Sequence, residues 1–307
     1  MQEILLSNLP KAHGQVKGCW FKGYPIHKGF TQASLNYATI YANQKKILPK
    51  QSALKKDFEF FKKTLRSAGF KIHSVPFPNE LNQIDNLRHD AIFIRDVGFM
   101  YKNLWIKSNF SCRHRQPEAD AYAPIIAKKF KKRIINLPKG AYLEFGDTLY
   151  AKTKSGVFYF GGLSRSNKKG HDFVKKIIKP DFYCLIKSEG YHLDTIFAPI
   201  INKDNQLVAF IVNKKRFNTK CLDKIKKLGI PIINIKPIDS SGIPGKLGNY
   251  AINALVAPGI MVSCHKFETL GVEKKLKELG IKHHVTPLTY FRFAGGSCHC
   301  LANEINK

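Results

Sequence analysis

The chain has 307 residues, 44% of them hydrophobic and 12% aromatic, which is enough apolar side chain to bury a sizeable core and too much for an intrinsically disordered protein. Lys and Arg number 51 against 22 Asp and Glu, a formal net charge of +29 that suits acidic partners, nucleic acid or an anionic surface. No run approaches the ~18 apolar residues of a membrane-spanning helix, and the first residues lack the basic start and apolar run of a signal peptide, so the expected setting is the cytoplasm.

Along the chain, Leu54, Phe58, Phe61 and Leu65 recur at spacings of four, three and four, the stripe of an amphipathic helix. Ser52 is its predicted N-cap. Gly69 follows, suited to the left-handed position after a helix C-terminus. A short strand then runs to Pro76, which limits it. Strands are predicted in AIFIRDVGFMY (91–101), LWIKSNF (104–110), GVFYFGG (156–162) and QLVAFIV (206–212), and a helix around HDFVKKII (171–178).

The segment Leu65–Pro76 has two look-alikes, Ile225–Pro237 and Leu276–Pro287, each a helix end, a Gly, a strand and a Pro. Leu270, Leu276 and Leu279 are predicted to stripe the last of these helices. Leu65 to Ile225 is 160 residues and Ile225 to Leu276 is 51, close to a ratio of three. A unit of ~50–60 residues repeated about five times fits this spacing, and such α/β units could close into a ring. The alternative is an ordinary α/β domain whose helix–Gly–strand junctions merely look alike. No Pro-, Gly- or Ser-rich linker divides the chain, so one domain is expected over residues 1–307.

The excess charge is mostly lysine, in runs such as AKKFKKR and VKKIIK spread over amphipathic segments. That dispersal favours a solvated face over a nucleic-acid recognition surface, which stays as the alternative. The seven cysteines (19, 112, 184, 221, 264, 298 and 300) are odd in number and irregular in spacing, and read as reduced thiols. Cys298-His299-Cys300, with Cys264 and His265, contains the residue types of a metal site. C-x-C is not the C-x2-C of a zinc knuckle, however, and no metal or other cofactor is expected.

Four polar clusters interrupt apolar strands: Arg95-Asp96, Glu144 to Asp147, His192 with Asp194, and the Gly295–Cys300 segment. Cys300, after Gly-Gly, is a candidate nucleophile. A thiolate needs a partner at neutral pH, and His192 could supply it. Glu144 could hold the imidazole or a cationic substrate, and Asp96 and Asp194 add two carboxylates. One Cys, one His and three carboxylates suit a planar cationic electrophile such as a guanidinium, which carboxylates grip bidentately and orient for attack.

Taken in order, FIRD (93–96), LEFGD (143–147), GLSRSN (162–167), YHLDT (191–195) and GGSCHCLANEI (295–305) resemble the guanidino-group-modifying enzymes, or pentein superfamily. Its members include arginine deiminase, arginine dihydrolase, dimethylarginine dimethylaminohydrolase and the amidinotransferases. The resemblance runs from about Leu54 to Ile305. It implies a five-bladed α/β propeller with pseudo-fivefold symmetry, in agreement with the repeat. It also implies Cys300 as nucleophile, in preference to Cys298, with His192 as acid–base and Glu144 in the acidic motif. Asp96 and Asp194 are implied as guanidinium ligands, with Asp90 at a further substrate-binding position. Arg165 and Arg115 are implied to reach the substrate carboxylate, and Asn249 to fall near a family Asn. The motif departs from the family at Phe145, where a Gly is usual, and in GLSRSN, which is one residue short.

The resemblance implies a cysteine-dependent hydrolase acting through a covalent thiouronium. Arginine deiminase or dihydrolase chemistry is expected first, dimethylarginine hydrolysis second and amidinotransfer third. A catalytically silent basic binding protein on the same scaffold is the competing class. The expected partner is a small guanidino substrate, and the oligomeric state is open.

Overall fold

A computed structural model describes residues 2–10, 37–47, 50–82, 89–111, 115–187, 191–243 and 245–306. Cys19 and Cys112 lie outside them. The chain begins with β1 (Glu3–Ser7), α1 (Tyr37–Gln44), α2 (Gln51–Ser67) and β2 (Lys71–Val75). Next come β3 (Gly98–Tyr101), β4 (Leu104–Lys107), α3 (Gln116–Phe130) and β5 (Arg133–Ile135). The series continues with β6 (Thr148–Thr153), β7 (Gly156–Gly162), α4 (Lys168–Ile178) and β8 (Phe182–Ile186), then β9 (Phe197–Ile201), β10 (Leu207–Val212), α5 (Thr219–Lys226) and β11 (Ile232–Asn234). A small hairpin of β12 (Gly242–Ile243) and β13 (Lys246–Leu247) precedes β14 (Leu255–Ala257), β15 (Ile260–Ser263), α6 (Val272–Glu278) and β16 (Lys282–Val285). The chain closes with α7 (Thr289–Phe293) and β17 (Ala302–Asn306).

The fold is α/β, and its pairing is repetitive. β3–β4, β6–β7, β9–β10 and β14–β15 are antiparallel hairpins. In each case a helix then returns the chain to a third strand parallel to the second. The two ends of the chain build the same arrangement. β17 pairs antiparallel with β1, and β2 lies parallel to β1 after α2. Among the described residues the hairpin–helix–strand unit therefore occurs five times. Its first strands begin at Gly98, Thr148, Phe197, Leu255 and Ala302, the near-regular interval expected from the sequence. β17 also pairs parallel with β3, which joins two units in one six-stranded sheet.

Each unit is sealed by an amphipathic helix. Leu54, Phe58, Phe61 and Leu65 of α2 are all buried, worth about 1.5–3 kcal/mol apiece on area grounds. The helix-to-strand junctions carry left-handed glycines at Gly69, Gly229 and Gly280, with φ of +87°, +67° and +72°. In the other two units the same position is taken by Lys131 and Lys179, at φ +50° and +52°. Two local expectations are corrected. The N-cap of α2 is Lys50, in extended conformation, and Ser52 lies inside the helix, whose first residue is Gln51. Leu270 precedes α6 and is 92% exposed, so it takes no part in the stripe that buries Leu276. Among the described residues no helix is long and apolar enough to cross a membrane.

Candidate active site

The segments just ahead of the first strands of the units converge. Asp96 sits in the turn before β3, Glu144 before β6, His192 and Asp194 before β9, and Cys300 before β17. All five are buried. A short helical turn at Phe145–Asp147 swings the chain from Glu144 into β6. Asp147 locks this turn in place: its carboxylate accepts from Arg165 N and Leu193 N, both at 3.0 Å. That ties together three of the sequence motifs. Burial raises the Asp147 carboxyl to about 6.

Glu144 is the hub of one half of the site. Its Oε2 accepts from His192 Nε2 and from Arg165 Nε, each at 2.9 Å. Its Oε1 accepts from Ser111 Oγ at 2.9 Å and from Ser111 N at 3.3 Å. Burial opposes its charge, but the Arg165 guanidinium and the His192 hydrogen bond prevail and hold the carboxyl well below its ordinary range. The other imidazole nitrogen, Nδ1, faces Asp96 Oδ1 at 3.6 Å. Burial lowers the His192 pKa, yet Asp96 and Glu144 together raise it to about 9. The imidazole is therefore cationic at neutral pH.

Gly146 makes that geometry feasible. A Cβ there would lie 2.4 Å from His192 Nδ1 and 2.9 Å from Asp96 Oδ1. The neighbouring Phe145, like Gly146, has no positive φ. Its ring is buried and stacks on Phe99, with centroids 5.4 Å apart. The departure from glycine at this position thus fills core space behind the site and leaves the acidic positions in place.

Cys300 anchors the other half. Its thiol donates to Asp194 Oδ2 at 3.5 Å, and the same oxygen accepts from His299 Nδ1 at 2.7 Å. Burial first, then the negative charges of Asp194 and Asp96, push the Cys300 thiol well above its ordinary pKa. Burial raises Asp194 too, but the His299 hydrogen bond together with the positive charges of His299, His192 and Arg95 outweighs it, and the carboxyl lies below its usual value. The resting site thus pairs a neutral thiol with an imidazolium and waiting carboxylates. Asp96 Oδ1 and Asp194 Oδ1 are both buried without a hydrogen-bond partner among the described residues and suit a cationic donor. Such a cation would lower the cost of a thiolate at Cys300.

The two arginines are inside the site. Arg165 lies under the Tyr191 ring, 4.6 Å from its centroid, while its Nε holds Glu144. Arg115 donates from Nη1 to Asp96 Oδ2 at 3.0 Å and is gripped by Glu118 at 2.8–3.1 Å. Asp90 offers its backbone carbonyl to Arg115 Nη2 at 3.3 Å, and burial raises its side chain to about 7.

Asn249 stands apart from this set and has structural partners: its amide binds Asp239 and Glu268, and its carbonyl accepts from Ala251 N. Cys298 is fully buried in the apolar core. Among the described residues no three His, Cys, Asp or Glu side chains are grouped to hold a metal ion. Those cysteines that are described, at 184, 221, 264, 298 and 300, are free.

Sequence reasoning missed two residues. The side-chain carbonyl of the fully buried Asn253 accepts from Ser297 N at 3.1 Å and Cys300 N at 3.4 Å, and its amide reaches Asp194 O at 3.3 Å. It stands two residues ahead of β14, as Asp96 does ahead of β3 and Cys300 ahead of β17, so the phase of the repeat was the available signal. His299 was noticed only as a metal-ligand type, and no spacing rule linked it to Asp194.

No protein-family model matches the chain. One curated relative is the bifunctional arginine dihydrolase/ornithine cyclodeaminase ArgZ of Synechocystis sp., 25% identical over 225 residues. The match covers 71% of this chain but 29% of that protein, so the chain corresponds to under a third of its relative's length. Among solved structures, the substrate-bound N-terminal domain of ArgZ, described as a cyanobacterial arginine dihydrolase, superposes with a TM-score of 0.74 at 18% identity. It covers all of this chain and 99% of that one. DDAH from Pseudomonas aeruginosa, in complex with citrulline, gives 0.68 at 12% identity, covering 99% and 98%. The fold is therefore that of these structures.

Proposed function

We propose that the chain is a cysteine-dependent hydrolase of the guanidinium group of arginine or a close derivative. The observation that carries this is the convergence of Cys300, His192, Glu144, Asp96 and Asp194 in one buried, charge-paired site. The names of the relatives, an arginine dihydrolase and a citrulline-binding enzyme, support the same substrate class. The chain is also read as a single domain over residues 1–307. Its five units form a five-bladed propeller of pseudo-fivefold symmetry, a reading supported by β17 completing the unit of β1 and β2. The free thiols fit a reducing, cytoplasmic setting.

In this mechanism the guanidinium binds between Asp96 and Asp194, with Arg165 and Arg115 near the substrate carboxylate and Asp90 at the rim. The added positive charge beside Cys300 lowers its pKa, and the thiol proton leaves to solvent. The thiolate attacks the central guanidinium carbon. His192, already protonated, gives its proton to the departing nitrogen, and ammonia leaves a covalent thiouronium. Water then adds to that carbon while His192 takes a proton from it. The C–S bond breaks to give the ureido product and regenerate Cys300. Glu144 orients the imidazole throughout and keeps it cationic at rest. A second round on the product would expel a second ammonia and leave a carbamate, which loses carbon dioxide to yield ornithine.

The test is product analysis after incubation with arginine and, separately, asymmetric dimethylarginine, with Cys300→Ser as the control. Citrulline or ornithine from either, absent with the variant, is expected and names the branch. No product from either substrate would overturn the hydrolase reading and leave amidinotransfer or a binding role.

A further inference from the structure

The mechanism above leaves a buried histidine without a part. His299 is 5% exposed and lies between two carboxylates. Nδ1 is 2.7 Å from Asp194 Oδ2, the oxygen that also accepts from Cys300. Nε2 is 3.9 Å from Glu304 Oε1. Glu304 is in turn ion-paired with Arg95, and Arg95 Nε donates to the His299 carbonyl at 3.4 Å. Arg95, Asp194, His299 and Glu304 line one cavity. His171, fully buried in the same protein, shows what a merely satisfied core histidine looks like. It bonds Tyr159 at 2.8 Å and the Gly162 carbonyl at 2.7 Å and contacts no nucleophile.

We propose that His299 is a positioning residue for Asp194: its Nδ1–H fixes Oδ2 beside the Cys300 sulfur and leaves Oδ1 to face the substrate guanidinium. Asp194 Oδ1 is buried and has no hydrogen-bond partner within the protein, as a group reserved for an incoming donor requires. The carboxylate is acceptor-only, so Nδ1 is the donor and Nε2 is turned to Glu304. Arg95, paired with Glu304 and bonded to the His299 carbonyl, holds the imidazole in this orientation. The same bond draws charge from Oδ2 and so eases ionisation of the neighbouring thiol.

This inference rests on the hydrolase reading for its kinetic arm and not for its chemical arm. The experiment compares His299→Asn with His299→Gln. The Asn amide can occupy the place of Nδ1, whereas the Gln amide reaches the place of Nε2. In steady-state assays with arginine, His299→Gln is expected to raise KM about tenfold, the effect of losing one charge-assisted hydrogen bond. The change in kcat is expected to be smaller, and His299→Asn to stay within about twofold of wild type. Independently of any substrate, the rate of Cys300 alkylation by iodoacetamide is followed against pH. The His299→Gln profile is expected to move to higher pH by about one unit, a tenfold slower reaction at a fixed pH on its rising limb. His299→Asn should keep the wild-type profile.

Identical behaviour of the two variants, or an unshifted profile for His299→Gln, overturns the proposal. If wild type turns over no guanidino substrate, the hydrolase reading fails and the alkylation profiles alone decide the role of His299.

Discussion

Replacing Gly146 with alanine tests the site geometry at its tightest point. Gly146 is not in the left-handed region, so the backbone tolerates alanine and the whole effect comes from one methyl group. That methyl would lie 2.4 Å from His192 Nδ1, 2.7 Å from its Cγ and 2.9 Å from Asp96 Oδ1, where ordinary contact starts at 3.4 Å. The imidazole must therefore retreat by about 1 Å, away from the position in which it donates to Glu144 at 2.9 Å. A displacement of that size at a reacting group costs about 100-fold in rate. The accompanying strain, in a region already fully buried, should cost about 1–3 kcal/mol of stability. The assay is kcat/KM for arginine, alongside urea denaturation to show that the variant is folded under assay conditions. A folded Gly146→Ala within about threefold of wild-type kcat/KM would mean that His192 does not act from where it lies.

Other expectations follow from the same interactions. The His192 pKa is about 9 in the fold against ~6.5 unfolded, so the stability it contributes is full below ~6.5 and is lost as pH rises through about 9, a span of about 3 kcal/mol. The difference in unfolding free energy between wild type and His192→Gln should shrink by that order between pH 6 and 9.5, and a constant difference would refute the raised pKa. Asn253→Ala removes the side-chain acceptor of two buried N–H groups, Ser297 and Cys300. It should cost about 1–3 kcal/mol in chemical denaturation and lower kcat, with an unperturbed variant counting against the tether. Lys131→Gly and Lys179→Gly relieve left-handed backbone worth about 1–2 kcal/mol, less the ~0.4–1 kcal/mol that glycine adds to unfolded-chain freedom. Each should therefore stabilise by about 0.5–1 kcal/mol, and a fall in denaturation midpoint would contradict the strain.

Those two lysines also explain what could be read from the chain. The unit was visible wherever Gly69, Gly229 or Gly280 marked the turn from helix to strand, since glycine pays no Cβ penalty there. It was hidden in the units of α3 and α4 because lysine adopts the same φ and leaves no compositional trace. The core stripe of α2 was legible from its periodicity, but its N-cap was not. Lys50 caps through backbone conformation alone, and Ser52 offered a better-looking side chain two residues too late. Leu270 misled for a related reason: spacing cannot tell a helix residue from one just ahead of the helix.

For the site, motif likeness found the groups with recognisable chemistry and passed over those that act by placement. Asp96, Glu144, His192, Asp194 and Cys300 carry ionisable groups in ordered motifs. Asn253 carries none, and at the level of residue type it is indistinguishable from Asn249, four residues away, which proves to brace Asp239 and Glu268 instead. What separates the two asparagines is phase within the unit. The residue two positions before a unit's first strand is Asp96 in one, Asn253 in another and Cys300 in a third, and each of these side chains meets the shared site. A repeated fold thus supplies a rule that no single motif holds. The segment ahead of each first strand faces the same place, so a polar residue there merits scrutiny even when its neighbours resemble nothing. Tested on the unit that gave the weakest motif, the rule selects Asn253, the residue whose carbonyl holds the backbone of Cys300.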